Sequence, residues 1–184
     1  MKQVKGLISF YGICNNILGP DKRMVIYLQG CKKNCKGCQA PTLRELKPYK
    51  NDISKQLEAI INEAEKQDCK GITISGGEPF LQPQAIAYIQ DLIKDKNMNL
   101  LVYTGYVKNE LVDKYGEIIS KIDVLITGEY IKELDDGKGL RGSSNQEIIT
   151  KNEKLKTQCE ALLNKREQKI IFVDGRFVSI GLKK

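Results

Sequence analysis

Cys31, Cys35 and Cys38 fall within eight residues, at the spacing C-x3-C-x2-C. Three thiolates this close converge on one centre if the backbone curls, and loops this short cost little chain entropy to close. Soft thiolate ligands select zinc, copper(I) or iron–sulfur clusters. A structural zinc wants four ligands, and a [4Fe–4S] cluster normally takes four cysteines. The compact group supplies three. With three, one iron is left open for another ligand, and an open metal position marks a reactive site. The residues alone leave three readings: an iron–sulfur cluster with an open iron, a four-cysteine structural metal with Cys14 or Cys69 as the distant fourth ligand, and unrelated thiols. Cys14, Cys69 and Cys159 each read as a small buried apolar residue.

Other polar groups with chemical potential recur just after apolar runs. Ser75-Gly76-Gly77-Glu78-Pro79-Phe80 follows one such run. Its glycines let the backbone approach a ligand closely, and Glu78 is an acceptor for an ammonium group. The plainer reading is a strand-to-helix turn. Thr104-Gly105-Tyr106 and Thr127-Gly128-Glu129-Tyr130 end two later runs in the same manner. Arg141, Ser143 and Asn145, in Leu140-Arg141-Gly142-Ser143-Ser144-Asn145-Gln146, suit a carboxylate or a ribose. Histidine is absent. That removes His-based triads, HExxH zinc sites and imidazole bases, and leaves acid–base work to Asp, Glu, Lys, Tyr or Cys.

The elements that must position these residues alternate. Val4 to Gly12 reads as an opening strand, Gly19-Pro20-Asp21 as a turn, and Met24 to Leu28 as a buried strand ending just before the cysteines. Ile53, Leu57, Ile60, Ile61 and Ala64 mark one helix face, with Asn51 or Asp52 as cap. Gly71 to Ser75 is a strand, Ala85 to Ile93 a helix opened by Pro83, Leu100 to Tyr103 a strand, Leu111 to Ile119 a helix, and Val124 to Ile126 a strand. Lys132 to Asn145 is a long polar loop and Leu155 to Leu163 a helix. Ile170 to Val173 and Phe177 to Ile180, joined at Asp174-Gly175, form a hairpin. Strand–helix alternation predicts an α/β fold with a mostly parallel sheet. The units are too few for a closed eight-stranded barrel, so a partial, open β/α barrel is expected, with chemistry at the C-terminal strand ends.

The chain has 184 residues, 41% hydrophobic and 29% charged, which suits one globular domain spanning 1–184. Neither a signal-peptide stretch nor an apolar run of ~18–20 residues is visible, so a cytoplasmic chain with no membrane partner is expected. The net charge of +7 is spread along the sequence. It keeps the protein soluble and is weak support for a nucleic-acid partner.

The cysteine spacing after a strand resembles the radical S-adenosylmethionine (SAM) superfamily. Ser75 to Pro79 is similar to that superfamily's GGEP segment. Val102-Tyr103-Thr104-Gly105-Tyr106 resembles the YTGY segment of one branch. Arg141 to Gln146 looks like the RGS-x-NQ segment of activating proteins for anaerobic (class III) ribonucleotide reductase, which also begin near Gly-Pro-x-x-Arg, here Gly19 to Arg23. The likeness runs from about residue 6 to residue 180. It departs where the family often has His between the first cysteines and Tyr-Asn after the third; here stand Lys32-Lys33-Asn34 and Gln39-Ala40. The resemblance implies a radical SAM barrel, a [4Fe–4S] cluster on Cys31, Cys35 and Cys38, and SAM held by Gly76, Gly77, Glu78, Pro79, Thr104, Gly105, Arg141, Ser143 and Asn145. It implies one-electron cleavage of SAM and hydrogen abstraction from a glycine Cα of a glycyl-radical enzyme, the large chain of anaerobic ribonucleotide reductase. A flavodoxin or ferredoxin would supply the electron, steered by Lys32, Lys33 and Lys36. Two other readings stand beside it: a radical SAM enzyme acting on a peptide or small molecule, and a cysteine–zinc module binding nucleic acid.

Overall fold

A computed structural model describes residues 3–173 and 175–183. Six strands form the main sheet in sequential order: β1 (Ile8–Asn15), β2 (Lys22–Leu28), β3 (Gly71–Gly76), β4 (Asn99–Tyr103), β5 (Val124–Thr127) and β6 (Glu147–Thr150). β2 to β5 are parallel, while β1 and β6 run antiparallel at the two edges. The fold is α/β with a mostly parallel central sheet. The crossovers carry α1 (Ser54–Lys66), α2 (Pro83–Ile93) and α3 (Lys108–Ser120), and α4 (Glu153–Leu162) follows β6. The hairpin of β7 (Gln168–Val173) and β8 (Arg176–Gly181) is a separate antiparallel sheet.

The period-two rule explains the layers. Met24, Ile26 and Leu28 point to one face of β2, with Ile72, Ile74, Leu100 and Val102 beside them; Leu57, Ile60, Ile61, Ile86 and Ile89 of α1 and α2 cover that face. Val25 and Tyr27 point to the other face, under the hairpin's Ile180, Ile171 and Val178. Farther along that second face, Leu101, Val124 and Ile126 meet Leu140, Leu155 and Cys159. Strands buried on both faces read as continuous apolar runs, and β2 to β5 do.

Most predicted elements fall within a few residues of their observed bounds. The differences have local causes. The first strand begins at Ile8 and runs to Asn15. The cap position of α1 is Ile53, not Asn51 or Asp52. Asp52 still serves that helix, since its Oδ1 accepts from Ser54 N–H at 3.0 Å and from Val4 N–H at 3.1 Å. α3 is broken at Tyr115, whose φ is −132°. Strand β6 has no counterpart in the sequence reading: four residues are too few to show a period. Asp174 of the expected hairpin turn lies outside the described residues, and Gly175 has φ +76°. No described helix is long and apolar enough to cross a membrane.

Candidate active site

The three cysteines occupy the loop that leaves the C-terminal end of β2. Backbone bonds pin its start: Gly30 N–H donates to Leu43 O at 2.8 Å and Cys31 N–H to Arg44 O at 3.1 Å. Farther on, Cys38 N–H donates to Cys35 O at 3.3 Å. The Arg44 guanidinium also donates to Asn34 Oδ1, so one residue brackets the first loop from both sides. Cys31, Cys35 and Cys38 all line one cavity of about 350 Å³.

The Gly76–Pro79 turn is stitched to this loop. Gly77 N–H donates to Leu28 O and Glu78 N–H to Gly30 O, both at 2.8 Å. The two glycines serve this approach of chain to chain. A Cβ at Gly76 would lie 2.2 Å from Leu28 O, and one at Gly77 would lie 2.1 Å from Gly30 O. Gly76 also has φ +125°, a region open to glycine.

Glu78 is 1% exposed. Its Oε1 accepts from Phe80 N–H at 3.0 Å and from the Thr104 hydroxyl at 2.9 Å; its Oε2 accepts from Gly105 N–H at 2.8 Å. Burial pushes its pKa up, opposed by those donors and by Lys33. Lys33 Nζ sits 4.5 Å from the centroid of the Tyr106 ring and its stem lies beside Gly105. Lys36 pairs instead with Glu133 at 3.4 Å, and Lys32 is exposed.

Gly76, Gly77, Glu78, Thr104 and Gly105 line the same cavity as the cysteines. Pro79, Arg141, Ser143 and Asn145 are not among its lining residues. Pro79 opens a short 3₁₀ turn behind Glu78. Ser143 is fully buried and its hydroxyl accepts from Ile131 N–H at 3.1 Å. Asn145 donates to Glu129 O at 2.9 Å. Arg141 binds Asp136 at 2.7 Å, while its Nε is buried without a partner among the described residues.

From that loop, Gly142 and Gln146 reach the cavity wall. Gln146 Oε1 accepts from Gly142 N–H and its Nε2 donates to Gly128 O, both at 2.7 Å, tying the loop to the end of β5. Arg166 does similar work from the far side. It forks onto Asp135 at 2.8 and 3.1 Å and donates to Lys138 O at 2.8 Å and to Lys183 O at 3.0 Å. Gln146 was visible within its motif; no local signal marks Arg44 or Arg166, whose partners are distant in sequence.

The donor set fits a cubane cluster. Burial raises the pKa of Cys31, and burial with Glu129 nearby pushes Cys35 up to about 11. Thiols of this kind become ligands when a metal's charge favours the thiolate. Among the described residues, no three His, Cys, Asp or Glu side chains are gathered around a single-ion site. A cubane makes no such demand, because each thiolate binds a separate iron. Cys14, Cys69 and Cys159 are buried elsewhere, and none lines the cavity.

A family model described as a 4Fe-4S single cluster domain matches residues 17–149. An anaerobic ribonucleoside-triphosphate reductase-activating protein of Salmonella typhi is 30% identical over 139 residues, covering 71% of this chain and 89% of that one. The protein of the same name from Enterobacteria phage T4 is 28% identical over 140 residues, 73% of this chain and 88% of its own. A pyruvate formate-lyase-activating enzyme of Streptococcus mutans is 29% identical over 161 residues, 80% of this chain and 59% of its own. The chain belongs to the family of these 4Fe-4S activating proteins.

Proposed function

We propose that this protein is a radical SAM activase that installs a glycyl radical on anaerobic ribonucleotide reductase. The observation that carries the reading is the shared cavity: three cysteines of one loop face a buried carboxylate held by three donors. Relatives that this chain matches over 88–89% of their own length are named for activating that reductase. The domain is the whole of 1–184, folded as an open barrel of the radical SAM type, and it works in the cytoplasm.

Cys31, Cys35 and Cys38 would hold a [4Fe–4S] cluster, and three ligands would leave it one iron open to SAM. Bound there and reduced, such a cluster would supply one-electron chemistry for cleaving the S–C5′ bond of SAM, from which hydrogen abstraction at the partner's glycine Cα would follow. Glu78 faces the SAM ammonium. A carboxylate has about four lone-pair sites, and three here are already taken by Phe80, Thr104 and Gly105, so one remains for the incoming cation. Gly76, Gly77 and Pro79 shape the turn that fixes Glu78 against the cluster loop. Arg141, Ser143 and Asn145 hold the loop over the β5 end. None of these roles needs an imidazole. The electron donor is an acidic flavodoxin or ferredoxin, drawn by the basic cluster loop.

The test is anoxic mixing of the reconstituted, reduced protein with SAM and the reductase. The expected result is the doublet signal of a glycyl radical in electron paramagnetic resonance, with one 5′-deoxyadenosine released per radical. Serine at Cys31, Cys35 or Cys38 should abolish bound iron and the signal together. SAM cleavage with no radical on the reductase would instead favour an enzyme acting on a peptide or small molecule.

A further inference from the structure

The hairpin carries the most exposed large apolar side chains among the described residues. Ile170 is 71% exposed, Phe172 64% and Phe177 78%. They share one face. Phe172 and Phe177 are directly paired across the hairpin with ring centroids 5.1 Å apart, and Ile170 lies two positions from Phe172. The opposite face is already used: Ile171, Val178 and Ile180 pack over Phe10 and Tyr27. The hairpin is therefore apolar on both sides, and only one side is covered by its own chain. Isolated surface apolar residues need no explanation, but a cross-strand aromatic pair continued by an isoleucine makes a contiguous patch.

Its position matters more than its size. Phe177, Val178 and Ser179 also line the cavity that holds the three cysteines. Phe177 belongs to both the patch and the cavity lining, so the patch adjoins the cavity and a polypeptide reaching in from this side would lie across it. Among the described residues of this segment, Lys169, Arg176 and Lys183 are exposed and pair with no carboxylate, whereas Lys165 pairs with Glu167 and Arg166 with Asp135. The hairpin is also firmly seated. Lys169 Nζ donates to Ile13 O at 2.8 Å, and Gly12 on β1 leaves the room that Ile171 and Ile180 fill.

We infer that the outer face of the β7–β8 hairpin is the docking surface for the glycine-bearing polypeptide of the partner enzyme, and that it takes a segment with apolar side chains flanked by carboxylates. This rests on the activase reading above. The hairpin would hold the partner segment while its glycine lies in the cavity. Aromatic side chains buried near the centre of a desolvated contact are a usual source of binding energy, and Lys169, Arg176 and Lys183 would steer approach.

The test is the double variant Ile170→Thr/Phe172→Thr, whose residues lie outside the cavity lining and keep strand propensity. A second variant, Ile170→Leu/Phe172→Leu, keeps the apolar surface. Thermal melts confirm folding of both. With dithionite as reductant and no partner, SAM cleavage should match the unmodified protein in both. For the threonine variant the Kd for the reductase should rise at least about tenfold, and the radical yield at subsaturating reductase should fall in step. The leucine variant should retain most of the binding. Unchanged Kd in the threonine variant overturns the inference, as does a loss of self-association with reductase binding intact. If the unmodified protein cleaves SAM but neither binds the reductase nor makes a radical on it, the activase reading itself has failed.

Discussion

At the scale of single residues, Glu78 and its three donors decide how the candidate site can work. Among the described residues no cation pairs with this buried carboxylate within bonding distance, so the backbone N–H groups of Phe80 and Gly105 and the Thr104 hydroxyl hold it in place. Glu78→Gln replaces one accepting oxygen with an N–H donor. That donor must face either the Gly105 N–H or the Phe80 and Thr104 donors, so at least one buried donor loses its acceptor, at a cost of about 1–3 kcal/mol. The variant also removes the charge that an ammonium would meet. The expected outcome is a folded protein of lower stability in urea titrations. Its affinity for SAM, measured by anoxic calorimetry on the cluster-loaded form, should drop by about tenfold or more. Unchanged affinity would remove Glu78 from the SAM site. This residue was legible from its place in Gly76-Gly77-Glu78-Pro79. Arg141, Ser143 and Asn145 were legible as a motif, but their geometry was not. Ser143 and Asn145 bond to the backbone of Ile131 and Glu129, the segment that follows β5. Side chains that secure a loop and side chains that touch a ligand have the same polar composition, and only packing tells them apart.

At the scale of elements, the site is a junction between two strand ends. β2 and β3 are parallel neighbours, and their ladder continues past Leu28 and Gly76 into the Gly77 and Glu78 N–H bonds. The cysteine loop and the Glu78 turn are thereby one rigid unit, and Gly77 is its narrowest point. A Cβ there meets Gly30 O at 2.1 Å and Leu43 O at 2.7 Å, both backbone atoms that cannot rotate away. Gly77→Ala should therefore separate the two loops and destabilise the protein by about 1–3 kcal/mol, the range of overpacked cores. Iron content after reconstitution should fall with it, although no ligand has changed. A variant that reconstitutes fully would show that the loops are not coupled. The strand and helix order behind this junction was readable because β2 to β5 are buried on both faces and α1 and α2 show a clean apolar stripe. β6 escaped because Ile148 and Ile149 sit in a four-residue edge strand after a long polar loop, where neither period nor turn chemistry announces a partner. The hairpin was readable, but its outward aromatic face was not: Phe172 and Phe177 look like core residues until the fold shows which side is covered.

At the scale of the whole molecule, the two ends of the sheet do different work. The C-terminal strand ends carry the cysteines, Glu78 and Gly105. The N-terminal ends are held by Arg23, which is fully buried. Its Nε donates to the Thr73 hydroxyl at 2.8 Å, Nη1 to Asn99 Oδ1 at 2.7 Å and Nη2 to Ile72 O at 2.8 Å, so one guanidinium joins β2, β3 and β4. Thr73 passes the chain on, donating to Leu18 O at 2.8 Å. Burial pushes Arg23 down to about 10, which still leaves it charged at neutral pH. The Gly19–Arg23 segment that marked the family resemblance is thus a scaffold device, placed at the opposite end of the strands from the cavity. Arg23→Met keeps much of the volume but strands the Asn99 and Ile72 acceptors, and the loss expected is about 2–4 kcal/mol. Below its lowered melting temperature, the same variant should bind iron and cleave SAM at the unmodified rate per folded molecule, since none of Arg23's hydrogen-bond partners among the described residues lines the cavity. Chemical denaturation paired with an anoxic 5′-deoxyadenosine assay separates the two effects. A variant that kept its stability would remove Arg23 as the clamp of this end. One that lost cleavage while still folded would mean that strain at the base of the parallel strands reaches the cysteine loop through β2, and the division of labour between the two ends would have to be given up.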